Sequence, residues 1–467
     1  MLEKKKVDLL LINPPFHMRN GSGKFFPLGL RYIISSVEHN GYSWAVIDCT
    51  DIIQSYRDDD LNKLSRELKR LLTGYAPLII GIGPTITSQL RALKIISSAC
   101  RDVFENTPIF AGGPFASIKN QEWFFFEELK IEYLIKGDGE VAVPDVIRTL
   151  KKSEEIENCK MVSSRDVSVI NVIEDINQIT FPYRGPLSNE KYSLRRQNLY
   201  QVQAPMITSR GCPFACDYCV SGNMKNSNIR FRKRTIQNVL EEIVSLRNNY
   251  GVTDLIFYDD CFFHNLNNLN EDVERFCKAL INNRITIKWQ IEMRPDFFVR
   301  LSEDAISYLN AAGCRQINLG IEKVTDQGLA FIGKKGNWSG LNKRIDYIRS
   351  HTSISQSATF IIGGGEETAS EIKRHIEETL SLGLDFAHYN PLFIYPGTPL
   401  YNLKFSNERE WADYIMNDEL PWGEIVYESR DVNKNDLLEL IKYAYTQFYK
   451  NTSYKESSMV KDRFNIR

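Results

Sequence analysis

The chain has 467 residues, 43% of them hydrophobic and 25% charged, a composition that excludes a disordered or fibrous protein and a length that implies two or three domains. Its 58 Lys+Arg against 59 Asp+Glu give a formal charge of -1, so no overall basic field points to a nucleic-acid partner. Nine cysteines, an odd number, argue against a disulfide framework in a chain that carries no export signal.

The first apolar run, Val7–Ile12, is broken by Asp8 and ends in Asn13-Pro14-Pro15. It is too short for a signal-peptide core or a membrane span, so a cytoplasmic location is expected. Residues 1–152 read as five strand–helix units, with strands at Val7–Ile12, Ser43–Asp48, Leu78–Ile82, Pro108–Ala111 and Ile131–Ile135. Between them lie amphipathic stretches such as Leu90 to Val103, with Leu90, Leu93, Ile95, Ile96 and Ala99 near a 3.6 period. This alternation predicts an α/β fold, a doubly wound parallel sheet with helices on both faces. Ligands of such sheets bind beyond the carboxyl ends of the strands. Gly81, Gly83, Gly112, Gly113, Gly137 and Gly139 fall at or past those ends, where they either admit a ligand to the backbone or only make tight turns. No Gly-x-Gly-x-x-Gly follows the first strand, so a dinucleotide site is not supported.

Residues 153–204 are polar and irregular and read as a linker. A short strand, Pro205 to Thr208, then leads into Ser209-Arg210-Gly211-Cys212-Pro213-Phe214-Ala215-Cys216-Asp217-Tyr218-Cys219. Three thiolates on a four-iron cube leave one iron open to a chelating ligand, whereas an electron-transferring cluster takes a thiolate on each iron. Structural zinc needs a fourth ligand, and neither His264 nor a later cysteine pair supplies it. A ferredoxin-like carrier needs a nearby fourth cysteine, and the next, Cys261, stands alone. Inert core cysteines would not crowd into a Gly/Pro loop. Metal-cluster binding is therefore the leading reading of Cys212, Cys216 and Cys219.

From 205 to 400 strand–helix units recur about six times, which predicts a partial (β/α)6 TIM-type barrel with its active residues at the carboxyl ends of the strands. Polar residues collect there: Asp259-Asp260, Glu292 and Arg294, Gly320-Ile321-Glu322, Gly363-Gly364-Gly365-Glu366 and Tyr395-Pro396-Gly397-Thr398-Pro399. Cys277 lies on the apolar stripe of a helix with Val273, Phe276 and Leu280 and reads as a core thiol. Cys314 is a lesser candidate as an extra ligand, and Cys261, beside the two aspartates, is a stronger one. Residues 401–467 form a small helical region, notably Asn435–Lys450, that would cover the barrel's open side. Trp411 and Trp422 either line a substrate pocket there or serve packing.

The Cys-x3-Cys-x2-Cys spacing, with Tyr218 before the third cysteine, resembles the radical S-adenosylmethionine (SAM) superfamily. The resemblance implies a [4Fe-4S] cluster on Cys212, Cys216 and Cys219, with SAM on the open iron. Tyr218 would lie near adenine, Asp259-Asp260 near the methionyl amine, and Arg294 and Glu322 near carboxylate and ribose. Gly363–Glu366, Gly364 among them, and Tyr395–Thr398 resemble late barrel motifs of that family. Asn13-Pro14-Pro15, Pro27-Leu28-Gly29-Leu30, Gly112-Gly113-Pro114 and Gly137-Asp138-Gly139-Glu140 resemble the flavodoxin-like cobalamin (B12)-binding domain that precedes many such barrels. Pro14, Gly83, Gly112, Gly113 and Gly137 are then the cofactor-side positions. The Asp-x-His-x-x-Gly element of one cobalamin type is absent, since His17 and His39 lie elsewhere, so the fold is implied and cobalamin itself left open. The implied activity is C–H functionalisation of a small metabolite or peptide, with C-methylation, or ring closure, rearrangement or oxidation without methyl transfer, as outcomes. Methylthiolation of tRNA is disfavoured because no basic C-terminal domain follows. A non-catalytic cobalamin or iron–sulfur sensor is the alternative from another class. The implied partner is an electron donor such as flavodoxin or ferredoxin.

Overall fold

The computed structural model describes residues 3–15, 27–53, 58–185, 202–336, 338–405, 407, 409–412 and 426–450; His17 and Trp422 lie outside them. The first sheet is built from β1 (Lys5–Asn13), β2 (Trp44–Asp48), β3 (Tyr75–Ile82), β4 (Ile109–Gly112), β5 (Tyr133–Gly137) and β6 (Ile170–Asn171). All are parallel, in the order β2-β1-β3-β4-β5-β6, the flavodoxin-like arrangement. Strand β1 explains why. Leu9 and Leu11 face one core and Leu10 and Ile12 the other, all buried, as a strand covered on both faces requires. Helices α1 (Leu28–His39) and α4 (Gly139–Lys151) pack on the first face, and α2 (Asp58–Leu72) and α3 (Leu90–Val103) on the second.

Two features depart from the sequence reading. The stretch read as an irregular linker contributes β6, and its Ile156, Cys159 and Val162 join the first domain's core. Between β4 and β5 the chain makes a π-helical turn, Phe124–Glu128, instead of an ordinary helix. Its Phe124 and Phe125 meet Phe115 and Trp411, which arrives from the C-terminal region. Trp411 is therefore packing for the first domain.

The second sheet comprises β7 (Gln203–Met206), β10 (Asp254–Phe257), β11 (Lys288–Met293), β12 (Cys314–Glu322), β13 (Ser355–Ile362) and β14 (Phe386–Pro391). These six are parallel, neighbouring in sequence order, and open between β7 and β14. A separate antiparallel ribbon, β8 (Ser209–Arg210) with β9 (Arg232–Lys233), rises from the end of β7. Helices α6 (Ile236–Tyr250), α7 (Leu269–Asn282), α9 (Glu303–Ala311) and α12 (Ala369–Leu380) cover the outside. Between β12 and β13 the chain forms two helices, α10 (Asp326–Phe331) and α11 (Leu341–His351). The break contains Gly333 and Gly340, both at positive φ. The C-terminal helix, Lys434–Tyr449, lies along β14. Its Tyr445 and Tyr449 hydroxyls accept from the backbone N–H of Tyr389 and Ala387 at 3.1 and 3.2 Å, satisfying the outer edge of that strand.

Gly137 joins β5 to α4 at φ +78, and a Cβ there would lie 2.1 Å from the Asn171 carbonyl oxygen of β6. Gly137→Ala should therefore destabilise the fold by about 2 kcal/mol or more, measured as a lower urea midpoint at unchanged m-value.

Candidate active site at the barrel rim

The cysteine loop hangs between fixed points. Below it, the Asp259 carboxylate accepts from Thr208 N–H at 3.0 Å, Thr208 Oγ1 at 2.8 Å and Ser209 Oγ. Gly211 turns the chain at φ +79 out of the ribbon into Cys212. Beyond the loop, Asn223 donates to the Cys216 and Cys219 carbonyls at 2.9 and 2.8 Å. Gly222 sits so close under the loop that a Cβ would be 2.4 Å from the Phe214 oxygen. On a third side the Asp217 N–H donates to the Ile332 carbonyl at 2.9 Å, and the Leu400 N–H donates to the Asp217 carbonyl at 3.1 Å. The α10–α11 break is thus where the barrel grips the loop. The Asp217 carboxyl overlies Gly333, where a Cβ would come within 2.3 Å of it.

Burial pushes the Cys212 thiol up to about 12, with Asp260, Cys219 and Cys216 adding and the Phe214 N–H opposing. Cys219 is pushed up by burial too, with Asp260 and Cys216 adding. The three thiols are thus close enough to feel one another. Among the described residues, no three Cys, His, Asp or Glu side chains are gathered for a single metal ion. The donor set is three soft sulfurs on one clamped loop, which fits a cluster that takes each sulfur on a different iron. Cluster iron would supply the positive charge that turns these thiols into thiolates.

The other rim residues divide. Tyr218 reaches the Glu322 carboxylate, and burial raises its phenol well above the usual range. Glu322 sits at φ +68 after a register shift in β12, a strained position that aims it at the loop. Lys334 meets Glu322 at 3.4 Å and donates to the Gly320 carbonyl at 2.6 Å. Arg294 forks onto Asp296 at 2.9 and 3.1 Å, donates to the Lys335 carbonyl, and lies 4.1 Å over the Phe214 ring. Its contacts hold the loop. Asp259 is 2% exposed with its oxygens occupied, so the expectation that both aspartates face a methionyl amine is corrected: it is a clamp for the strand end. Asp260 instead accepts from Ser221 at 2.8 Å and stands beside the thiols, its carboxyl raised by burial. Gly364, at φ +119, packs against Leu392 and Phe331. Lys323 donates to the Gly363 carbonyl and to Glu367, each at 2.7 Å. Cys261 is 1% exposed, with its thiol 3.0 Å from the Phe263 carbonyl. Cys277 and Cys314 are core thiols.

On the first domain the glycines answer to the protein's own backbone. A Cβ at Gly83 would meet the Gly112 oxygen at 2.8 Å, one at Gly112 the Ile135 oxygen at 3.2 Å, and one at Gly113 the Thr85 nitrogen at 2.5 Å. That is the tight-turn reading. Pro14 presents its carbonyl to Gln89 at 3.5 Å. Thr85, fully buried beside Gly113, has a hydroxyl without a hydrogen-bond partner among the described residues.

Two features escaped the sequence reading. Asp138 and Glu140 form ion pairs across the domains with Arg210 and Arg232; no local pattern marks residues so far apart as partners. The second feature is Glu292, noted only as one of many rim residues. On β11 Trp289, Ile291 and Met293 pack against the helices, so alternation turns Glu292 inward. Asn318, whose side-chain oxygen already accepts from Gln316 at 2.7 Å and from Ser357, supports Glu292 with a hydrogen bond.

Glu292 is exposed to solvent on the inner face of the strand, but the protein wall around it strips much of its water and pushes its carboxyl up to about 7, with Glu322 adding and Asn318 and Lys334 opposing. The folded state therefore holds this proton more tightly than the unfolded chain, and the contribution to stability is lost as pH rises from about 4.5 through 7. Glu292→Gln, which mimics the protonated form, should be more stable relative to wild type at pH 8 than at pH 5. Thermal unfolding at the two pH values checks this. Asp259→Asn, which replaces two acceptor oxygens with one, should lose about 1–3 kcal/mol, read from denaturant unfolding.

Residues 206–379 match the radical SAM superfamily. The chain is 25% identical over 479 aligned residues to an uncharacterized methyltransferase of Pyrococcus horikoshii, covering 98% of this chain and 95% of that one. It is also similar to the solved radical SAM methyltransferase TsrM from Kitasatospora setae, with tryptophan substrate and a SAM analogue bound. The TM-score is 0.64 at 17% identity, covering 87% of this chain and 76% of that one. The cobalamin-dependent radical enzyme OxsB, with aqua-cobalamin and SAM bound, gives a TM-score of 0.64 at 16% identity, covering 99% and 72%. With its thiol loop at the head of an open six-stranded barrel, the chain carries over residues 206–379 a segment that matches the radical SAM superfamily, and it shares the two-domain fold of these solved enzymes.

Proposed function

We propose that this radical SAM enzyme holds a [4Fe-4S] cluster on Cys212, Cys216 and Cys219, takes SAM on the open iron, and methylates carbon in a small metabolite or peptide with cobalamin on its first sheet. The observation that carries the reading is the clamped loop of three thiols at the barrel's carboxyl rim. When bound, the cluster, reduced by a donor such as flavodoxin or ferredoxin, supplies the electron that splits SAM into methionine and a 5′-deoxyadenosyl radical, and cobalamin supplies the methyl group.

The chain's own share is positioning. Arg294, stacked on Phe214 and tied to Asp296, fixes the loop's first half. Tyr218 and Glu322 form a phenol–carboxylate pair that a ribose hydroxyl could join, with Lys334 3.4 Å from that carboxylate. Asp260 offers a carboxyl beside Cys212 and Cys219. Glu292 and Asn318 give the barrel interior a polar wall suited to a hydrogen-bonding substrate. For cobalamin, the first domain offers the Thr85 hydroxyl at the mouth of β3 and β4, a buried donor that a bound acceptor atom would satisfy. The family neighbours support the same reading, since two are named methyltransferases and OxsB is described with cobalamin.

Changing all three cysteines to alanine should abolish iron binding and cut 5′-deoxyadenosine release from SAM to less than about one hundredth after anaerobic reconstitution; full turnover in that variant sinks the cluster reading. Purification with hydroxocobalamin should yield protein with a cobalamin absorption spectrum. A colourless eluate after dialysis would instead favour radical chemistry without methyl transfer.

A further inference from the structure

The ribbon carrying the cluster loop has only two residue pairs, Ser209 with Lys233 and Arg210 with Arg232. So short a ribbon cannot fix its own place. Both arginines of the second pair reach one carboxylate in the other domain. Arg210 meets Asp138 at 2.6 Å, and Arg232 binds the other oxygen of the same group. The Ile173 N–H donates to Asp138 at 2.8 Å. Arg210 continues to Glu140 and lies 5.1 Å over the Tyr32 ring, while Arg232 also donates to the Ile173 carbonyl at 2.7 Å. Two buried carboxylates thus balance two arginines. Asp138 stands at the N-cap of α4 but makes no capping bond with its side chain; the arginines take it instead.

Buried ion networks are weak evidence for stability, and their better-attested use is to specify one arrangement. Here the arrangement specified is that of a ribbon ending two residues before Cys212 against the carboxyl end of β5, where ligands of doubly wound sheets bind. We propose that Asp138 is a positioning residue for the cluster loop, coupling the carboxyl end of the first sheet to Cys212 through Arg210 and Arg232. This rests on the reading of the three cysteines as cluster ligands. A shift of the first sheet's end is transmitted to the loop because the shared carboxylate cannot release either arginine without leaving a charge buried.

The test compares alkylation of cysteines by iodoacetamide in the cluster-free full chain, mapped by peptide mass. In Asp138→Asn the Cys212 rate should rise about tenfold while buried Cys261 changes less than about twofold, as local opening of the loop requires. Asp254→Asn breaks a different buried pair, with Arg315 at the opposite end of the barrel, and should leave Cys212 within about twofold of wild type. After reconstitution, Asp138→Asn should shift or broaden the electron paramagnetic resonance signal of the reduced cluster, and Asp254→Asn should keep it. If Asp138→Asn does not fold, Glu140→Gln, which removes only one arm of Arg210, should give about a threefold rise. Wild-type rates and spectra in Asp138→Asn or Glu140→Gln overturn the proposal, as does an equal rise in Asp254→Asn. A wild-type chain that binds no iron would sink the cluster reading alone, and the alkylation arm would still judge the coupling.

Discussion

The Asp259 carboxylate is the fixed point from which the site is hung. It lies at the end of β10, and the groups it holds, Thr208 and Ser209, lie at the exit of β7. A buried carboxylate is costly unless its acceptors are filled, and here backbone and hydroxyl donors fill them while the Lys233 ammonium favours the charge. The two neighbouring strand ends are thereby locked together just where the chain leaves the barrel to form the thiol loop. Every other grip on the loop, from Asn223, Ile332 and Arg294, acts on a segment whose root is already set.

Most of the architecture was legible because it rests on periodicity. The mostly buried aliphatic run Val7–Ile12, followed by Asn-Pro-Pro, is what a parallel strand covered on both faces requires. The cysteine loop was legible because its chemistry is local. What the sequence could not convey is how a charge is used once the chain has folded. Asp259 and Asp260 are adjacent and look equivalent, yet one is sealed under the ribbon and the other faces the thiols. Arg294 reads as a ligand for an anion, and its fork is closed by an aspartate two residues away. The break between α10 and α11 was not legible because isolated glycines such as Gly333 and Gly340 are tolerated in helical patterns. Strand β6 is only two residues long, too short for any pattern to show.

The glycines at the ends of the first sheet carry a related lesson. Gly83, Gly113 and Gly137 look like room left for a ligand, but each is required by a neighbouring strand or turn that approaches within contact distance. Among the described residues the Thr85 hydroxyl, like the Gln121 side-chain oxygen and the Trp123 indole nitrogen, is buried without a hydrogen-bond partner, and Thr85 is the one that lies beside these glycines. Crowding by backbone and a vacant hydrogen bond are different signals, and only the second speaks for a guest.

A closed eight-stranded barrel abolishes its edges, whereas among the described residues this barrel has six strands and β14 has no neighbouring strand on one side. The phenols of Tyr445 and Tyr449 stand in for the missing strand. A side chain that satisfies backbone groups offers no ladder for a second polypeptide to extend, so this flank, covered by the helix Lys434–Tyr449, resists templated association between molecules. The barrel can then remain incomplete without becoming adhesive.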